Sequence, residues 1–356
     1  MRESIKEQTK MAKKVFVVSG GLSKFVKARK DKTFQAIVKE AYDYAISDIK
    51  KPKREVHQLI DGTVASYFSD HFMRQLKAGA MVQDYLGLIP KPSRRVEGGG
   101  ATGGLAFQVG YEAVASERWN LCVVYGWETM SHVNTWKGNE FIALASDVNF
   151  DYPVGGFYTG YYSIMVSRHM YEFGTTVEDM AAVSVKNHRN AFFNPYAQQG
   201  SSTLTIADVR NSPLVSWPLT RLDICAMSDG AAVVFLASED LAYELTDRPI
   251  EITGVGCGTD AMRMADRPHK DVILLPHEKQ QDYIGDRFVG WKLRYPGVHS
   301  FRAGRMACVE AYKNAKINNP MSQLSFVELH DAYTSSELQT IEDMGLCRYG
   351  EAGKFT

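Results

Sequence analysis

Small residues are concentrated in one segment of the chain, residues 96–104, which reads VEGGGATGG. An apolar segment with helical spacing follows it directly. A glycine loop that leads into a helix exposes backbone N–H groups, and these groups can bind a phosphate or a developing oxyanion. Close packing of a buried helix against its neighbour explains the same glycines equally well. The segment lacks the Gly-Lys-Ser/Thr of a P-loop, and the first predicted strand ends elsewhere, at Gly20-Gly21, which argues against a dinucleotide fingerprint.

A second group of polar residues lies near the end of the chain, where residues 328–334 read ELHDAYT. At the predicted end of a strand, His330 is able to act as a general acid or to donate to an enolate oxygen, and Asp331 is able to fix its tautomer. A purely structural His-Asp pair is the alternative. A third segment, CAMSDGAA at 225–232, predicts a turn into a buried strand, in which Asp229 is expected to hold backbone amides.

The elements that must position these residues follow from the hydrophobic pattern. In the first third of the chain the pattern predicts strands at 15–19, 59–66 and 121–126, and helices at 33–49, 72–86 and 100–116. Strands that alternate with helices indicate an α/β sheet with helices on its faces.

The rest of the chain first changes in composition and then returns to alternating predicted strands and helices. Residues 128–225 are rich in aromatic residues, Gly and Asn, and we interpret them as an insertion over the sheet. The insertion has predicted helices at 160–173 and 177–188; beyond it, strands are predicted at 230–236, 250–254 and 325–329, helices at 304–316 and 335–344, and a loop-rich stretch through Pro296. The second half therefore begins to repeat the pattern of the first.

Five phrases, in this order, resemble the thiolase superfamily, and most closely its sterol-carrier-protein-type and archaeal-type thiolases. They are RVEGGGATGGLAFQVGYEAVAS, GWETMS, NHRNAFFNPYAQ, SDGAA with the following LASED, and ELHDAYTSSELQTIEDMGLC. The resemblance extends from about Lys14 to the last residue. It implies a five-layered α/β/α/β/α thiolase fold from two similar halves, with a loop domain inserted. The implied domains are an N-terminal half at 1–128 to which 226–246 return, a loop domain over the active site at 129–225, and a truncated C-terminal half at 247–356.

The same resemblance implies a ligand and an assembly. Cys225 matches a position that lines coenzyme A in the family, and Ala226 and Ser228 in the same turn are expected to bind it too. Coenzyme A is expected as part of an acyl-CoA substrate rather than as a covalently bound cofactor. Family members form homodimers or larger assemblies, so we expect the same here.

Two departures from the family pattern bear on chemistry. The family carries its acyl-accepting cysteine in a phrase such as VEAACASGG, and spacing to AVAS at 113–116 puts Gly100 at that position. Without a thiolate there, the acyl-enzyme route of thiolysis cannot run in its usual form, although glycine keeps a backbone N–H as an oxyanion donor. Family members also continue beyond the GEAGKF phrase into a Gly-His-Pro histidine and a Cys-Gly loop. We therefore expect the C-terminal end of the fold to be missing from this chain. Three explanations are open: the sequence is a fragment of a longer chain, the protein never contained this part, or another polypeptide supplies it.

A GGGA run also replaces the cysteine in the steroid side-chain-cleaving aldolases, thiolase-like enzymes with a small zinc-ribbon and OB-fold partner subunit. This likeness implies aldol chemistry and a similar partner. The predicted function is an acyl-CoA enzyme that makes or breaks the carbon-carbon bond beside the thioester carbonyl through an enolate held near Gly100 and by His330. Tyr333 is a candidate for further proton transfer, with a core tyrosine as the alternative. The competing hypothesis is a catalytically silent thiolase-like scaffold or coenzyme A-binding subunit.

Composition excludes several other classes. The 41 Lys and Arg balance 41 Asp and Glu, so the chain lacks the broad positive field that favours nucleic acids. No apolar run approaches the roughly 18 to 20 residues of a membrane span, and the polar N-terminus does not resemble a secretory signal, so a cytoplasmic location is expected. Five widely spaced cysteines without a CxxC pair predict reduced thiols and no metal site.

Overall fold

The computed structural model describes residues 13–267, 272–279 and 297–355. Thr356 and much of the loop-rich stretch before Pro296 lie outside the described residues. The strands are β1 Val15–Leu22, β2 Gly62–Ser66, β3 Ser93–Val96, β4 Leu121–Thr129, β5 Leu214–Ser216, β6 Leu219–Thr220, β7 Asp229–Ser238 and β8 Ile250–Glu251.

The helices are short to medium in length. They are α1 Phe34–Ser47, α2 Lys53–Leu59, α3 Asp70–Met73, α4 Ala78–Tyr85, α5 Thr102–Ala115, α6 Thr135–Ala143, α7 Tyr158–Phe173, α8 Val177–Phe192, α9 Ile206–Asn211, α10 Glu239–Leu245, α11 Arg302–Ala315, α12 Pro320–Gln323, α13 Thr334–Asp343 and α14 Ala352–Phe355.

The described chain falls into two compact units. Unit 1 contains residues 13–23, 29–129 and 229–252, and unit 2 contains residues 24–28 and 130–228 with the described residues from 253 onward. Gly100 therefore belongs to unit 1, whereas Cys225 and the ELHDAYT segment belong to unit 2.

Unit 1 is built on a six-stranded sheet in the order β3-β2-β4-β7-β1-β8. Strand β2 runs parallel to β3 and to β4, and the remaining neighbours pair antiparallel. Helix α5 connects β3 to β4. Because β3 and β4 point the same way, this crossover helix begins at the carboxyl ends of the parallel strands and runs back across the sheet.

The side chains of β4 divide between the two faces of the sheet. Val123 and Tyr125 pack into the core beneath α1 and α4, whereas Cys122 and Val124 pack into the core beneath α5. Both faces of the sheet are thus covered by helices, which gives unit 1 three layers, α/β/α. The α/β architecture predicted from the alternating pattern is present in this unit.

Several predicted boundaries in unit 1 are wrong. The predicted helix at 72–86 is divided into α3 and α4, because Arg74 and Lys77 adopt left-handed backbone conformations at φ 52° and 56°. The predicted strand at 59–66 begins only at Gly62, after the end of α2. The predicted helix at 100–116 begins at Thr102, after a 3₁₀ turn at Gly99–Ala101.

Unit 2 is mainly helical among its described residues. Apolar side chains of α7, α8 and α13, including Val166, Val183 and Leu338, form its core. The predicted strand at 325–329 is wrong, since these residues form no ladder with any described strand and the Phe326 side chain is exposed. The second sheet of a five-layered architecture is not formed by the described residues.

Within the described residues, no helix combines the length and apolar character needed to cross a bilayer.

Candidate active site

The 3₁₀ turn at Gly99–Ala101 in unit 1 places backbone amides at the start of α5. Its hydrogen bonds run from the Ala101 N–H to the Gly98 carbonyl at 3.1 Å and from the Thr102 N–H to the Gly99 carbonyl. The Gly100 N–H precedes both of these bonds and is not used by the turn. The amino end of a 14-residue helix adds further amides and a positive dipole end. The turn can therefore donate a hydrogen bond to an oxyanion.

Gly100 itself is not required by the backbone. Its φ lies outside the left-handed region, and a Cβ added at Gly100 would meet no described heavy atom within 4 Å. Gly110 on the same helix is different, because its Cβ would lie 2.6 Å from Val124. The alternative of close helix packing therefore fits Gly110 and does not fit Gly100. Residue 100 faces open space in which a ligand can lie.

Thr102 holds the turn in place. Its buried hydroxyl accepts a hydrogen bond from the Gly98 N–H at 3.0 Å and donates one to the Gly99 carbonyl at 2.6 Å. Glu97 accepts from the Gly99 N–H at 2.6 Å. Thr102 was not predicted as a functional residue, although a threonine at the first position of a helix, separated by one residue from three glycines, is a signal for such a bond.

Glu128 of unit 1 is a second residue with no role predicted from the sequence, and it lies in the segment GWETMS at 126–131. Burial raises the pKa of its carboxyl group to about 7, above its ordinary value. One carboxyl oxygen accepts a hydrogen bond from the Phe68 N–H. The other oxygen is buried and has no hydrogen-bond partner within the described part of the chain.

A pocket of about 190 Å³, lined by both polar and apolar side chains, lies wholly within unit 2. Four of the residues predicted from sequence line it together: Cys225, Ala226, Ser228 and Asp331. Their proximity arises because the Cys225 N–H donates to the Ala332 carbonyl at 2.9 Å and Ile224 forms a bridge with Tyr333. The side chains of Asn187 and Gln198 add amide groups to the lining. Neither His330 nor Tyr333 is part of this lining.

Asp331 is engaged by another side chain rather than by His330. The Asn187 amide donates to the Asp331 carboxylate at 2.6 Å and to the buried Glu337 carboxylate at 2.8 Å, and Lys186 pairs with Glu337. No hydrogen bond joins Asp331 to His330 in the described residues. His330 is exposed. The described residues thus show Asp331 bonded to Asn187 and not to His330, and the predicted role of Asp331 in fixing the histidine tautomer stays a prediction.

Tyr333 is part of the core of unit 2. Its ring stacks on Tyr162 with centroids 4.1 Å apart, and its hydroxyl lies 3.0 Å from that of Thr159. Burial raises the pKa of Tyr333 to about 12. A phenol with that pKa stays protonated at neutral pH and is a poor base. The geometry matches the core alternative, and the predicted proton-transfer role stays a prediction.

Four of the cysteine thiols have a raised pKa and are harder to ionise than a free cysteine. Burial raises the pKa of Cys122 and of Cys347 to about 12 and that of Cys308 to about 11. Cys225 is exposed, but its thiol is partly desolvated by neighbouring groups. This desolvation, and to a smaller extent the negative charge of Asp331, raises the pKa of the thiol. None of these four presents the thiolate that a covalent route requires.

Groups of three or more His, Cys, Asp or Glu side chains in metal-binding arrangement do not occur among the described residues.

Family models and similar proteins both identify thiolase sequence over most of the chain. The family model "Thiolase, N-terminal domain" matches residues 15–204, and "Thiolase C-terminal domain-like" matches residues 295–356. An acetyl-CoA acetyltransferase from Methanothermobacter thermautotrophicus is 32% identical over 324 residues, which are 91% of this chain and 75% of that protein. The benzoylsuccinyl-CoA thiolase subunit BbsB from Thauera aromatica is 29% identical, with 97% and 79% covered.

Human sterol carrier protein 2 is 27% identical, with 95% of this chain and 58% of that protein covered. Among solved structures, the Ltp2-ChsH2(DUF35) aldolase superposes with a TM-score of 0.75 at 21% identity and covers 97% of this chain and 80% of that chain. The last likeness concerns the fold alone, and together with the family models it confirms the predicted α/β thiolase fold.

Proposed function

Because the chain belongs to the thiolase superfamily, in its sterol-carrier-protein-type branch, we propose that it is an enzyme that acts on an acyl-coenzyme A thioester. It makes or breaks the carbon-carbon bond beside the thioester carbonyl. The names of the acetyl-CoA acetyltransferase and of the benzoylsuccinyl-CoA thiolase subunit support the thioester substrate.

The reaction runs without a cysteine-bound acyl group. The supporting observation is Gly100, whose amide is not used by its turn and whose missing side chain leaves open space. A glycine cannot attack a carbonyl, but its N–H can stabilise the negative charge of an enolate. Loss of one such donor typically costs about 10² to 10³ in kcat, so this function is energetically substantial.

Two reaction types meet this condition. Aldol or retro-aldol chemistry needs a base and enolate stabilisation but no acyl carrier. A Claisen condensation of two thioesters held side by side is the second, since proximity contributes about 7 to 11 kcal/mol to such a step. Both pass through the same enolate.

The pocket of unit 2 is proposed to bind part of coenzyme A through Cys225, Ala226 and Ser228. The amide groups of Asn187 and Gln198 in its lining are suited to a polar, amide-containing chain. His330 is proposed as a further donor to the thioester.

An assembly of more than one chain accompanies this proposal. The names "subunit BbsB" and "Ltp2-ChsH2(DUF35) aldolase" describe proteins that work with a second component. We propose a homodimer or larger assembly that works with a small zinc-ribbon and OB-fold partner subunit, in the cytoplasm.

The test is an assay of the purified chain, alone and with its partner, against a panel of β-hydroxyacyl and β-ketoacyl coenzyme A esters. Release of a shorter acyl thioester, identified by mass spectrometry, is the expected result. Binding of coenzyme A without turnover of any ester contradicts the proposal and favours a silent scaffold subunit.

A further inference from the structure

Glu128 occupies a distinctive place in unit 1. It is the penultimate residue of β4, which runs parallel to β2 and lies one strand further from β3. Alternation along β4 puts Glu128 on the same face as Cys122 and Val124, which is the face covered by α5. Helix α5 begins at the carboxyl ends of these strands. The Gly100 turn and Glu128 therefore lie at the same end and on the same face of the sheet, which is where α/β folds bind their ligands.

The surroundings of Glu128 leave part of its carboxyl group unused. The Phe68 N–H occupies one oxygen, and the second oxygen is buried with no hydrogen-bond partner among the described residues. A buried, unpartnered carboxyl oxygen is rare and calls for an explanation such as a ligand or a catalytic role.

The charged groups that act on Glu128 do not neutralise it. Arg95 on β3 favours its ionised form, but this guanidinium pairs with Asp70 at 2.9 Å and lies 4.0 Å over the Tyr67 ring. Asp229 on β7 opposes ionisation of Glu128. Desolvation exceeds both influences and brings the pKa to about 7, where a carboxyl group can both take and return a proton.

We infer that Glu128 is the carboxylate that moves the substrate proton in the reaction proposed above, an inference that rests on that function. In the cleavage direction, Glu128 takes the proton of the β-hydroxyl group and the O–H electron pair forms the new carbonyl. The bond between the α- and β-carbons breaks, and its electron pair passes to the thioester as an enolate held by the Gly100 N–H. Glu128 then returns the proton to the α-carbon. The products are a carbonyl compound and a shorter acyl thioester, with no net proton change.

The test uses α-proton exchange, which needs proton transfer but no bond cleavage. The full chain is incubated with acetyl-CoA in D₂O, and deuterium at the α-carbon is measured by mass spectrometry. Wild type is expected to exchange with a rate that rises with pH through about 7. Glu128→Gln is expected to exchange at least about 100-fold more slowly, and Glu128→Asp to retain part of the rate. Glu40→Gln is the matched control, since Glu40 is a half-buried carboxylate of unit 1 that pairs with Arg29 and Lys32.

A second readout does not depend on activity. Because the native pKa of Glu128 is raised, its contribution to stability is fully present below its unfolded pKa, about 4.5, and is lost as pH rises through about 7. Wild type is expected to show this loss in urea unfolding, and Glu128→Gln to lack it. Equal pH dependence in both proteins would overturn the inferred environment of the carboxyl group.

The outcomes separate the two proposals. If wild type cleaves a thioester but Glu128→Gln exchanges and cleaves as fast, Glu128 is not the proton carrier and the proposed function stands. If wild type neither exchanges nor cleaves any ester of the panel, both fail.

Discussion

The Gly100 turn of unit 1 and the pocket of unit 2 both contain hydrogen-bonding groups, yet they differ in how those groups are used. In the pocket, Asp331 is held by Asn187 and Glu337 is held by Lys186 and Asn187. In the turn, the Gly100 amide is not used by the backbone and its Cβ position is empty. Groups already satisfied by the protein stabilise the fold, whereas groups left available can act on a ligand.

The largest expected effect is at residue 100. Gly100→Leu keeps the amide N–H but fills the open space beside it, so a thioester oxygen can no longer reach the donor. The variant should lower kcat/KM for thioester cleavage at least about 100-fold, as loss of the donor itself would. The melting temperature should stay within about 2 °C, since a Cβ at residue 100 meets no described heavy atom within 4 Å and the rest of the leucine side chain extends into open space. Gly160→Leu is the matched control, because this helical glycine in unit 2 also faces open space. Equal activity of Gly100→Leu and Gly160→Leu would contradict a role for the Gly100 turn in catalysis.

A smaller loss is expected at Thr102. Thr102→Val removes both hydrogen bonds of its hydroxyl and should destabilise the protein by about 1 to 2 kcal/mol. It should also lower kcat about 10-fold, because the turn loses its fixed geometry. Thr102→Ser keeps the hydroxyl and should recover most of both quantities. Chemical denaturation and steady-state kinetics measure the two effects; unchanged kinetics in the valine variant would show that the turn does not need this bond.

Substitution of His330 tests whether this exposed residue of unit 2 takes part in the reaction. His330→Ala should lower kcat by up to about 10-fold through loss of a donor, with unfolding free energy changed by less than about 0.5 kcal/mol because the side chain is exposed. Rates within twofold of wild type would remove His330 from the site.

Tyr333 is expected to affect stability alone. Tyr333→Phe removes the hydrogen bond to Thr159 and should cost about 1 kcal/mol in unfolding free energy. Its kcat should remain within about threefold of wild type, and the pH profile below pH 9 should not move, because the tyrosine pKa lies at about 12. A 100-fold fall in kcat would restore the catalytic role predicted from the sequence.

The smallest gain in activity is predicted for Gly100→Cys, which places a cysteine at the position of the family's nucleophile. Gly100→Cys has room to fold but should gain no thiolysis of β-ketoacyl-CoA, because a cysteine needs an activating base to become a thiolate. Robust release of acetyl-CoA by this variant, measured with free coenzyme A present, would show that the remaining thiolase apparatus is intact.

The sequence predicted the family, the α/β architecture and the glycine loop, because all three depend on local pattern and on phrase order. It could not predict the break of the 72–86 helix, since neither Arg74 nor Lys77 is a residue that favours a left-handed conformation. The strand expected at 325–329 depends on a partner strand, which local pattern does not reveal.

Contacts in the candidate site between residues far apart in the sequence could not be predicted either. Asp331 and Asn187 are 144 residues apart, so their hydrogen bond has no local signal. The unsatisfied oxygen of Glu128 is a property of tertiary burial, and the phrase GWETMS gave only its position in the chain.

Intact-protein mass spectrometry during turnover of a β-hydroxyacyl-CoA ester distinguishes cleavage through a free enolate from cleavage through a cysteine-bound acyl group. If the carbon-carbon bond is cleaved through an enolate at the Gly100 turn, the shorter thioester accumulates while the mass of the chain stays unchanged at every time point. A population of chain heavier by one acyl group, mapped to any of the five cysteines, would contradict the account.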